Sequence, residues 1–245
     1  MRNKGIIVRL FIILITMSVM GGSLSARTQY QPDELTKAIE NKDQELIVSI
    51  LKNVSENPDY VDSLSLFVTS NVFLQFKNLE TASFLFYAAQ IRAAADLKVY
   101  KPQGKGGNSP AVALGAVKYQ IGSVINPNIV KYPKIYAKVI NKLENWSPIY
   151  EINYNPGWEY VGQPSIDDAR DEIEDIKQER IEPMREISQL LNNKEYFDAF
   201  LIVQEQNFLP LKDRNQSEKQ EAELIMENIE EKLGLNGFIG LNKKN

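Results

Sequence analysis

The stretch LSLFVTSNVFLQFKNLETASFLFYAAQIRAAADLKVY, residues 64 to 100, decides the fold. Its large apolar residues recur three and four apart rather than two apart, which is the period of a helix and not of a strand. The polar pair Lys77-Asn78 divides it into two helices. Leu66, Ser70 and Phe73 fall on one side of the first, and Ala82, Phe86 and Ala89 on one side of the second. Small residues at positions 70, 82 and 89 let two backbones approach closely, while Phe73 and Phe86 fill the space beside them. The segment therefore predicts an antiparallel helical hairpin.

That succession of large, small and aromatic residues, then small, aromatic and small ones, resembles the tetratricopeptide/Sel1-like helical repeat over one unit, residues 63–96. The match spans about 34 residues, the length of one such unit. Ala94 replaces the proline that often closes it. A weaker echo lies in NKEYFDAFLIVQEQ (193–206), where Tyr196, Ala199 and Val203 fit the second-helix role but Pro183 falls where a large apolar residue belongs. The resemblance implies stacked hairpins that present a groove to another protein. The expected fold class is all-α: antiparallel helical hairpins, either in a degenerate repeat-like, α-solenoid-like array or in a compact helical domain.

Outward from the hairpin the period stays helical. Towards the N-terminus, Pro32 suits a first helical residue, and Asn41-Lys42-Asp43 separates it from a helix carrying Leu46, Ile47, Ile50 and Leu51 on one stripe. Towards the C-terminus, Ser109 and Pro110 make an N-cap and first turn for an apolar helix from Ala111 to Val124. Asn126-Pro127 and Tyr132-Pro133 read as punctuation, followed by an amphipathic helix on Ile135, Val139, Ile140 and Leu143 that ends near Trp146. Ser165 and Asp168 mark a capping box, Pro183 predicts a kink or break near Glu182, and Ser217 with Gln220 marks the last helix, which runs to about Lys232 before Gly234. The expected divisions are a signal peptide (1–26), an N-terminal helical domain (27–146), an irregular aromatic loop (147–164), C-terminal helices (165–235) and a frayed tail (236–245).

The first 26 residues read as an export signal. Arg2, Lys4 and Arg9 precede the uncharged run LFIILITMSVM (10–20), and Ser23-Leu24-Ser25 supplies small residues before Ala26. As a helix that run rises about 16 Å, short of the ~30 Å hydrocarbon core. Cleavage would leave no membrane span and would shift the net charge from −4 to −7. The chain has no cysteine and no histidine, which excludes lipid attachment at the cleavage site, disulfides, thiolate chemistry, the usual zinc ligand sets and imidazole-based triads. An acidic balance without a basic stripe argues against nucleic acid as partner. The compartment expected is periplasmic or extracellular, and bacterial.

Two irregular segments hold the candidate partner residues. KPQGKGGNSP (101–110) lacks the residue order of a nucleotide-binding loop, yet Lys101 and Lys105 with nearby amides suit one anion. SPIYEINYNPGWEYVGQ (147–163) carries Tyr150, Tyr154, Trp158 and Tyr160 among Pro, Gly and Asn. Such rings either pack back over helix ends or, as Tyr154, Trp158 and Tyr160, anchor a partner. The face formed by Asp167, Asp171, Asp175, Glu172 and Glu174 reads as a solvated helix surface, and no cofactor or metal is expected. Function is expected to be that of an exported protein–protein interaction module, an envelope adaptor or an inhibitor-type binding protein, and not an enzyme. The competing reading is a periplasmic enzyme that acts on cell-wall or glycan substrates through an unassigned carboxylate pair.

Overall fold

Short polar side chains set where the helices start. In the computed structural model, which describes residues 32–103, 106, 109–151, 154–162, 164–235 and 237–238, Asp62 accepts from the Ser65 amide at 2.9 Å and Asn78 from Thr81 at 3.1 Å. Ser109 accepts from Val112 at 3.4 Å and Asn193 from Tyr196 at 3.1 Å. Each satisfies an amide that the first helical turn leaves without a partner. The expected signal segment lies outside the described residues, and so does Lys105.

The helices are α1 (Pro32–Glu40), α2 (Gln44–Glu56), α3 (Ser63–Gln75), α4 (Leu79–Val99), α5 (Pro110–Ile129), α6 (Pro133–Glu144), α7 (Ile166–Asn192), α8 (Lys194–Phe208) and α9 (Gln216–Leu233), with 3-10 turns at Pro58–Tyr60 and Leu211–Asp213. Among the described residues there is no strand, and a single antiparallel bridge joins Pro102 to Tyr160. The fold is all-α and compact.

Helix α4 is the axis, and α3, α5, α6 and α7 all pack on it. It can be enclosed because Ala82, Leu85, Phe86, Ala88, Ala89, Ile91 and Ala95 make it apolar almost all round. The α3–α4 hairpin forms as its spacing predicts: Leu66, Ser70, Ala82, Phe86 and Ala89 are buried, Phe73 is half-buried, and the Ser70 hydroxyl donates to the Ala82 carbonyl at 2.7 Å. Phe67 meets the Phe86 ring edge-on at 5.8 Å. On α5, Gly122 allows the close approach, since a Cβ there would stand 2.9 Å from the Phe86 ring.

Four helices around one axis is a different arrangement from a stack in which each hairpin touches only its neighbours. The helices show no tetratricopeptide or Sel1-like repeat. The α8–α9 hairpin completes the molecule against α7, through Tyr196, Ala199, Phe200 and Val203.

Three boundaries differ from expectation. Helix α5 runs through Pro127 to Ile129, and α7 is one helix of 27 residues across Pro183, so the proline does not break it. Proline removes one helical hydrogen bond. Ser123 and Glu179, four residues before each proline, are exposed residues, so each missing bond falls on the solvent side of its helix. The N-cap of α9 is Asn215, which accepts from Glu218 at 3.2 Å, and not Ser217. Of the expected tail, Phe238 is docked: its ring stacks on Phe200 at 4.7 Å and its amide donates to the Tyr196 hydroxyl at 3.3 Å.

Candidate functional site

Arg92 and Asp96 stand one turn apart on α4, both 0% exposed, and they are the charged residues that a helix packed on all sides has to accommodate. A buried charge is costly unless its hydrogen bonds are filled. The strap that follows α6 fills them. Tyr150 donates to Asp96 Oδ1 at 2.9 Å and Tyr154 to Oδ2 at 2.6 Å, while the Tyr154 hydroxyl accepts from Arg92 Nε at 3.2 Å. The other guanidinium nitrogens donate to the carbonyls of Asp59 at 2.8 Å and Ile149 at 3.2 Å. The guanidinium carbon lies 4.6 Å from the Tyr154 ring centre and 5.1 Å from that of Tyr150. One arginine thus ties together the turn before α3, helix α4 and the strap.

A second layer lies outside it. Tyr100, the C-cap of α4, touches the rings of Tyr150, Tyr154 and Tyr160 at 6.2, 5.4 and 5.2 Å. Trp158 Nε1 donates to the Tyr100 carbonyl at 2.7 Å. The strap is held along its edge by the Gln103 amide on the Glu159 carbonyl at 2.9 Å and the Val161 amide on the Lys101 carbonyl at 3.0 Å.

Burial pushes the Asp96 carboxyl up to about 6, against the field of Arg92 and the hydroxyls of Tyr154 and Tyr150, with Asp62 adding to the rise. Burial raises the Tyr154 and Tyr150 hydroxyls well above the ordinary tyrosine value, and Asp96 adds to both. The site is therefore closed, with its polar atoms turned towards one another.

Of the expected partner residues, Tyr154, Trp158 and Tyr160 come together around Tyr100, each half-buried with its ring against the helix end. Lys101 is exposed and joins them through its backbone. Arg92 and Asp96 escape a reading based on loops. Their signal is a charged pair at four-residue spacing inside the apolar run AAQIRAAADL, where a buried pair needs polar partners from elsewhere.

Two further buried charged groups are also held by polar partners. Glu230 is 5% exposed and accepts from the Tyr196 hydroxyl at 2.6 Å. Lys177, 8% exposed, reaches the exposed Ser147 hydroxyl at 3.1 Å, but its Nζ also contacts the Glu144 carbonyl at 3.2 Å and the Glu174 carboxylate at 3.4 Å. The Ser147 hydroxyl accepts from Lys177 and itself donates to the Glu174 carboxylate at 3.2 Å, so its proton faces that carboxylate and not the lysine. The pair closes the end of α6. On the acidic face of α7, Asp167 pairs with Arg170 at 3.2 Å and Glu172 with Lys98. Among the described residues no group of three carboxylates is placed to hold a metal ion, and no helix is long and apolar enough to cross a membrane.

Fold and site together define an all-α protein whose buried charges clasp an aromatic strap across the end of its central helix. No family model, curated protein or solved structure matches the chain.

Proposed function

We propose that this chain is an exported helical module for binding another protein, an envelope adaptor or an inhibitor, rather than an enzyme. The observation that carries this is where the two kinds of chemistry lie. The carboxylates and hydroxyls that burial perturbs most are sealed by one another, whereas Phe76, Tyr132, Phe208 and Leu211 stand 65, 53, 68 and 77% exposed at helix ends and turns. Reaction needs perturbed groups open to substrate; recognition needs large side chains open to a partner. A carboxylate pair for glycan chemistry would have to face a cleft about 5–10 Å across, and the two buried carboxylates among the described residues, Asp96 and Glu230, face tyrosines instead.

The test is capture from an envelope extract on the immobilised exported chain, with free chain as competitor and sugar release from purified cell wall measured in parallel. Saturable, competed retention of a protein supports the reading. Release of sugars by the exported chain without such retention would favour the enzyme.

A further inference from the structure

Helix α4 runs from the strap at its C-terminus to a quite different surface at its start, about 30 Å away by helix rise. There Phe76 from the α3–α4 turn and Tyr132 from the α5–α6 turn line one shallow depression, with the half-buried Leu79 and Ile135 beside them. Phe208, at the end of α8, continues the aromatic surface, with Lys131 Nζ 5.4 Å from its ring centre.

Lysines predominate around these rings, although Glu80 also lines the depression. Lys131 lies in the turn, and Lys134, Lys138 and Lys142 follow along one side of α6 at four-residue spacing, which puts them in a row. Glu80 pairs with Lys142 at 2.7 Å and with Lys138 at 3.7 Å. Lys77, Lys131 and Lys134 have no carboxylate partner among the described residues. Tyr132 caps α6 without a side-chain hydrogen bond, so the positive end of the helix dipole adds to the field. In a chain with a net charge of −4, this is a local basic pole.

We propose that this pole docks an acidic segment of the partner protein, which sets one large apolar side chain between Phe76 and Tyr132 and its carboxylates against Lys77, Lys131 and Lys134. The inference rests on the interaction-module reading and gives the partner its chemistry. Aromatic rings at a depression supply contact area, and the lysines supply steering and orientation. A concave seat between two rings fits a side chain better than a flat bilayer.

A random peptide library displayed on phage, panned at low salt on the exported chain, tests it. The enriched peptides are expected to be acidic with one large apolar residue. A synthesised member should bind about tenfold more weakly to the Lys131→Glu/Lys134→Glu variant and should weaken as salt rises. It should also lose several-fold on Tyr132→Ala and, as a second variant should that one melt early, on Phe76→Ala. Neutral or basic peptides, or peptides that bind every variant like the parent, would overturn this site and leave the interaction module standing. No enrichment over an unrelated helical protein would overturn both. Phosphatidylglycerol vesicles retained by the parent and not by the charge-reversed variant would assign the pole to a membrane surface instead.

Discussion

Asp96 holds its proton more tightly in the folded protein than in the unfolded chain, because burial raises its carboxyl from the ordinary 3.8 to about 6. The stabilisation that comes from the raised value is complete below about 3.8 and is lost as pH rises through about 6. Acidifying from neutrality should therefore stabilise the parent relative to Asp96→Asn, by up to about 3 kcal/mol at one pH unit per 1.36 kcal/mol. Urea midpoints of both proteins across this range check it. A parent that loses ground on acidification would mean that Arg92 and the two tyrosine hydroxyls outweigh desolvation. Trp158 poses a related question at the strap. Its indole bonds to the Tyr100 carbonyl, and its ring is half-buried against the core, so Trp158→Ala should cost about 2 kcal/mol, somewhat below a fully buried tryptophan. Melting temperature and partner affinity measured on the same variant separate lid from anchor: an unchanged melting point with weakened capture would restore Trp158 as a contact residue.

Between elements, the α3–α4 hairpin is the contact on which the rest assembles. Ala82 is 0% exposed, and its carbonyl accepts from Ser70, so there is no room for a larger side chain. Ala82→Trp should destabilise the protein by about 1–3 kcal/mol or more through overpacking, read as a lower thermal midpoint. Equal midpoints would show that α3 and α4 separate more easily than their packing implies. The two helix-internal prolines teach the converse lesson. Pro127 reads as punctuation and Pro183 as a kink or break in the sequence, yet a helix passes each one, with one face buried against its neighbours to offset the lost hydrogen bond.

For the whole molecule, export is the first expectation to test: the basic, apolar and small-residue succession over residues 1–26 should be cleaved. N-terminal sequencing of protein from the envelope fraction should begin near Ala26, and a sequence that still begins at Met1 would favour an anchor. The sequence by itself determined the helical class, the hairpin at Lys77-Asn78 and the N-caps Ser109 and Ser165, because period and capping are local properties. The absence of cysteine and histidine also decided there which chemistries are closed to the chain. It could not decide whether the hairpins stack or enclose. That follows from α4 being apolar almost all round, which becomes a constraint only when four helices compete to cover it. Nor could it show that Arg92 and Asp96 reach across more than 50 residues to Tyr150 and Tyr154. The basic pole too is a tertiary fact. Its rings come from three separate turns, and only packing puts them beside the lysines of α6, two of which, Lys138 and Lys142, pair with Glu80.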